Sequence, residues 1–152
     1  MGFKITRDYK GLTKLKKDVE SLADTFLEAG FFEEDRYGPE NDNLYVAQVA
    51  FWNEKGIGVP RRSFLQPAFL DPGNLGWYRS MTLKVMQEAL NGNNFIPQLK
   101  ALGEQLKGDI QVKIEDYPGS NSRQWVEIKG FDDPLFYTGK MLDSVKYKIR
   151  RK

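Results

Sequence analysis

Cysteine and histidine are both absent from the 152-residue sequence. Without thiols there is no disulfide, no thiolate metal ligand and no cysteine nucleophile, and without imidazole every catalytic triad built on that base is excluded. Long apolar runs are missing as well. The longest are a few residues, far short of the roughly 20 a membrane helix requires, so a soluble chain with no membrane partner is expected. Met1 to Leu12 is charged throughout and has no apolar stretch of the kind a secretion signal uses. Phosphate-binding loops are lacking too. Gly56-Ile57-Gly58 has neither the third glycine nor the strand–turn–helix setting of a dinucleotide site, and no P-loop occurs.

What remains is ample core material. Hydrophobic residues make up 40% of the chain and aromatics 13%, enough for one domain spanning residues 1–152. The net charge of +2 conceals an asymmetry. Residues 1–17 hold six basic groups, Lys4 and Arg7 among them, against Asp8, and residues 140–152 hold six against Asp143. The middle is acidic, with six acids against Arg36 between Glu28 and Asp42. Such polarity suits stacking on other copies or charged neighbours and contact with phosphate, and equally suits plain solvated termini.

Leu12, Leu15, Val19, Leu22 and Phe26 recur at helical spacing and predict an amphipathic helix over 11–26. A strand is expected over about Thr25 to Glu33, overlapping the helix end, then an exposed acidic loop over 34–43. Asn43 is placed to cap a helix that Gly56 stops, although Tyr45, Val46, Val49 and Phe51 also favour a buried strand. Ser63 is expected to cap a short helix through Phe69, with Pro67 kinking it. Asp71-Pro72-Gly73 reads as a turn before a helix over 75–90, and Ile96 opens another whose continuation over 109–117 competes with a strand. An exposed loop follows over 118–123. Val145, Tyr147 and Ile149 alternate with Lys146, Lys148 and Arg150, a half-buried strand with a basic outer face. The fold class is thus α+β, a small mixed or antiparallel sheet packed against three to four helices.

Carboxylates are the catalytic groups left, in Glu33-Glu34-Asp35, Glu115-Asp116 and Asp132-Asp133. Adjacent acids in polar sequence are usually solvated and lack the apolar pocket that separates an acid from a base, so no catalytic, cofactor or metal residue is assigned and no enzyme is expected. Nucleic-acid binding is the stronger chemical candidate, through Arg61, Arg62 and the basic C-terminal strand. The same lysines also serve to keep an edge strand from pairing with other chains.

Two passages carry more than composition. Ala50-Phe51-Trp52-Asn53-Glu54-Lys55-Gly56, then Val59-Pro60-Arg61-Arg62-Ser63-Phe64-Leu65-Gln66-Pro67-Ala68-Phe69, resembles the motif of tailed-phage neck and tail-completion proteins. Lys129-Gly130 with Pro134-Leu135, Thr138-Gly139, Met141-Leu142, Ser144 and the alternating end through Ile149 is similar to the closing pattern of that family. The resemblance covers most of 12–150. It departs at Tyr137, where the family often has Asp, and at Arg62-Ser63, where it has Arg-Pro, and the acidic loop matches no family pattern.

The resemblance implies a virion structural protein, a homohexameric ring around the DNA channel that joins head to tail. Its partners would be further copies of itself, adjacent head-completion or adaptor proteins, tail-tube or tail-terminator proteins, and DNA passing without sequence readout. Glu33, Glu34, Asp35, Arg36, Gly56, Ile57, Val59, Arg61 and Arg62 are the expected subunit contacts. Lys146, Lys148, Arg150, Arg151 and Lys152 are the expected contacts to DNA or charged neighbours.

Overall fold

A computed structural model describes residues 9–152; Lys4 and Arg7 of the basic N-terminal end lie outside that range. Helix α5 (Ile96–Glu115) is the axis of the domain, because its stripe Leu99, Leu102, Ile110 and Ile114 is buried along its length. Against its N-terminal half pack Val85 and Ala89 of α4 (Pro72–Leu90), with Leu22 of α1 (Lys10–Ala23), Leu27 of β1 (Thr25–Gly30) and Ile149 of β2 (Lys146–Arg151) at the edge. Against Ile110 and Ile114 pack Val46 and Ala50 of α2 (Val46–Lys55), Phe64, Ala68 of α3 (Leu65–Leu70), Leu135, Met141 of α7 (Lys140–Asp143) and Val145. At 1.5 Å per residue the two clusters sit about 20 Å apart along the helix. Each fully buried Ile or Phe contributes about 1.5–3 kcal/mol from removing its surface from water. With α6 (Arg123–Lys129), the described residues form a single α+β domain of seven helices and one two-stranded antiparallel sheet.

The sheet pairs Thr25 with Arg151, Leu27 with Ile149 and Ala29 with Tyr147. Tyr147 reaches α5 through a gap in its side-chain cover: a Cβ on buried Gly103 would collide with the Tyr147 ring. This contact seats the short sheet on the helical layer, where two strands alone would be only marginally stable.

Several local expectations give way to tertiary contacts. The strand stops at Gly30 rather than Glu33, and Phe31 turns inward to meet Phe64 edge-to-face at 6.0 Å. Asn43 does not cap α2. It lies at φ 52°, Tyr45 is the extended residue before the helix, and the strand tendency of Tyr45 is spent on a single bridge to Arg36. The 34–43 segment is an ordered excursion: Tyr37 N–H donates to the Leu44 carbonyl, Val46 N–H to that of Asp35, and Pro39–Asn41 makes a 3₁₀ turn. Asp71-Pro72-Gly73 is the start of α4 itself, with Asp71 accepting from Gly73 N–H and Pro72 in the first turn, where a missing N–H costs nothing. The 109–117 stretch continues α5 as far as Glu115. The sequence reading did not foresee α6, which is capped by Ser122 accepting from Trp125 N–H.

Candidate docking groove

The first motif passage is bound together by one buried acid. Glu54, 7% exposed near the end of α2, accepts the Ser63 hydroxyl at 2.7 Å and the backbone N–H groups of Phe64, Leu65 and Gln66 at 2.8, 2.9 and 3.3 Å. Those N–H groups open α3 and have no intrahelical acceptor. Pro67 comes next and brings no N–H, so the first turn is fully accounted for and Pro67 introduces no missing bond. Ser63 is therefore a donor to the distant Glu54 rather than the cap of α3. Burial acts to raise the Glu54 pKa, and the bonds from Ser63, Phe64, Leu65 and Gln66 together outweigh it and hold the carboxyl below its usual range.

Asn53 holds the same loop from its other side, its carbonyl accepting Arg62 N–H at 2.7 Å and its side-chain oxygen accepting the Arg62 guanidinium at 3.2 Å. Gly56 ends α2 at φ 76° with its α-carbon against Arg61, where a Cβ would come within 2.9 Å of the Arg61 Cβ. Ile57 and Val59 on this loop stay exposed.

This knot forms one wall of a cavity of about 250 Å³. Asn53, Val59 and Arg62 of the first passage line it together with Lys129 and the Pro134 to Met141 stretch of the second, and with Tyr37, Asn41 and Leu44. Trp125 of α6 also lines it, half exposed. Lys129 donates to the Asp133 carbonyl and lies 4.9 Å from the Phe131 ring centre, and burial, with the Arg62 charge adding, pushes its ammonium below the usual lysine range. Thr138 accepts from Lys140 N–H at 3.3 Å while Gly139 takes the capping position of α7.

The candidate charges fall into a second arrangement on the sheet. Lys146 pairs with Asp35, Lys148 with Glu34 and Arg150 with Glu28, the last at 2.8 Å. Lys148 holds Glu34 below the usual carboxylate range. Arg36 lies over the Tyr45 ring at 3.5 Å. Two sets of residues read as contacts to other molecules thus meet each other within the chain, and Glu33, Arg61, Arg151 and Lys152 remain at the surface. Of the acidic pairs, Asp132 accepts from Asn121 N–H at 2.6 Å and Glu115 and Asp116 are exposed. Among the described residues no group of three acids could hold a metal, and no helix is long and apolar enough to cross a membrane.

No family model matches the chain, and no curated protein or solved structure matches it. The sequence reading includes Asn53 and Glu54 within the first motif passage but assigns neither a role of its own, and Tyr37, Asn121 and Trp125 carry no signal in it. Glu54 meets its partners across a nine- to twelve-residue loop closure, a spacing that helix or strand periodicity does not encode.

Proposed function

We propose that the chain is a structural virion protein of the head–tail connector, of the neck or tail-completion type, working as a homohexameric ring around the DNA channel and without catalysis. The observation that carries the reading is convergence: the two passages that resemble the family, about 80 residues apart, line the same cavity. A pattern distributed in that way belongs to one built surface rather than to two unrelated loops.

Exposed apolar side chains support assembly. Leu12, Leu15 and Val19 on α1, Leu83, Met86 and Leu90 on α4, and Trp125 and Ile128 on α6 with Tyr137 are all exposed. Two unlike faces on one subunit are what a closed head-to-tail ring requires. The alternative, a nucleic-acid-binding module, has fewer charges to work with, since Lys146, Lys148 and Arg150 already have carboxylate partners.

The test is the mass of the purified protein by light scattering across concentration and salt. A discrete species of six 17.5 kDa subunits is expected. A strict monomer that binds DNA with a steep salt dependence would replace this reading with the alternative.

A further inference from the structure

We infer that the cavity is a docking site for an acidic peptide segment of a partner protein, one that presents carboxylates beside a large apolar side chain. The inference rests on the assembly reading for the premise that this face meets another chain, and it specifies the chemistry of that chain.

The first argument is size. A volume of about 250 Å³ is several times the roughly 30 Å³ of one liquid water and slightly below the roughly 300–1,000 Å³ usual for small-molecule pockets. It suits a few side chains of a segment laid along the surface. The walls supply apolar and aromatic contact from Leu44, Trp125, Phe136 and Tyr137, the kind of lining that gives a docked segment its anchor.

The second argument is polarity. Arg62, Lys129 and Lys140 line the cavity and no carboxylate does so among the described residues. Among the described residues none of the three forms an ion pair. Asp132 and Asp133 are the acids near Lys129, yet Lys129 bonds the Asp133 main-chain carbonyl and Asp132 is taken by Asn121 N–H. Among the described residues the Asn121 side-chain Nδ2 is buried without an acceptor and lines the cavity, whereas the Asp133 Oδ1, also buried without a partner, lies outside the lining. An unmade bond of this kind is costly to leave. The cavity therefore presents donors and positive charge in surplus, and a carboxylate matches both.

The experiment is a fluorescence-anisotropy titration of the full-length protein with the labelled probe Gly-Ser-Glu-Phe-Asp-Leu-Glu-Ser-Gly. One control replaces each acid by its amide, and another replaces Phe and Leu by Ala. The expected result is saturable binding of the probe, about tenfold weaker for either control. Arg62→Gln and Lys140→Gln should each weaken it severalfold, and Lys84→Gln, an exposed lysine on α4 away from the cavity, should not. Lys140 is exposed, so its variant keeps the test valid if Arg62→Gln fails to fold.

Equal binding of the acid and amide probes, indifference to both substitutions, or full displacement by inorganic phosphate would overturn the inference. So would binding by the monomer but not by the ring, since a neighbouring copy would then fill the cavity. If the protein is hexameric and ignores the probe, the docking assignment falls and the ring stands. A monomer that binds the probe as expected reverses those two outcomes.

Discussion

Lys146 of β2 donates to both carboxylate oxygens of Asp35, at 2.8 and 2.6 Å, across 111 residues of sequence. With Lys148–Glu34 and Arg150–Glu28 it forms a row of pairs that fastens the acidic excursion to the last strand. The polarised charge of the sequence is thus spent partly inside the subunit, and the surface available to neighbours is less charged than the sequence suggests. Asp35→Asn should cost about 1 kcal/mol, because the pair is only partly buried, and the loss should shrink as salt rises. A double-mutant cycle with Lys146→Met, read by urea unfolding, isolates the coupling.

Glu54 should matter more than any surface pair. Glu54→Ala leaves three helix-opening N–H groups and a hydroxyl without their acceptor, a loss of about 3 kcal/mol. Glu54→Gln keeps one acceptor oxygen and should cost about half of that, and Ser63→Ala about 1 kcal/mol. Urea midpoints in that order are expected, and a silent Glu54→Ala would contradict the assigned role.

Glu34, Glu54 and Asp71 are all held below their ordinary values of 4.5, 4.5 and 3.8. The Lys113 hydrogen bond leads for Asp71, as the Lys148 hydrogen bond does for Glu34. Groups lowered on folding contribute stability above their unfolded pKa and lose it as pH falls through the folded value. Unfolding free energy should therefore be flat near neutrality and decline below about pH 4.5. At the alkaline end the sign reverses. Tyr37 and Tyr147 are raised mainly by burial, as is Tyr78, with Asp109 adding to the last. Their stabilisation holds below the unfolded phenol pKa and disappears as pH rises through the folded values. Phenolate absorbance should show these tyrosines titrating later than in urea.

Gly103 was unremarked in the sequence because a glycine within a helical pattern reads as a mere loss of propensity. Its role is set by Tyr147, 44 positions away, whose ring occupies the space of a Cβ. Gly103→Ala should therefore destabilise by about 1–3 kcal/mol even though Ala is the better helix former. Pairing it with Tyr147→Leu should recover part of the loss, as measured by thermal unfolding.

The same distinction explains how much of the molecule was readable. Helices α1, α4 and the first part of α5 and the terminal strand follow from their own periodicity, whereas the alternation of Ile110, Val112 and Ile114 left 109–117 open until the contacts of Ile110 and Ile114 settled it as helix. The Asn43 and Ser63 caps misled because local capping preferences compete with tertiary partners, and Glu54 and the Arg36–Tyr45 bridge won. The cavity was illegible for the same reason. Its donors come from α2, the loop before α3, α6 and the start of α7, and only the folded chain brings them together.

Helix α1 has a regular apolar stripe and yet buries no residue fully. Leu22 meets the core edge, while Leu12 and Leu15, in the first two turns of α1, stay 64% and 42% exposed. Their burial in the monomer cannot be what the stripe supplies. Leu12→Ser with Leu15→Ser, and separately Leu83→Ser with Met86→Ser on α4, should each leave monomer stability within about 0.5 kcal/mol of the parent. In a ring of the proposed kind, the stripe that faces a neighbour loses its apolar contact when made polar, and the hexamer fraction seen by light scattering should fall for that pair alone. If neither pair shifts the mass of a hexamer, both stripes lie outside the ring contact.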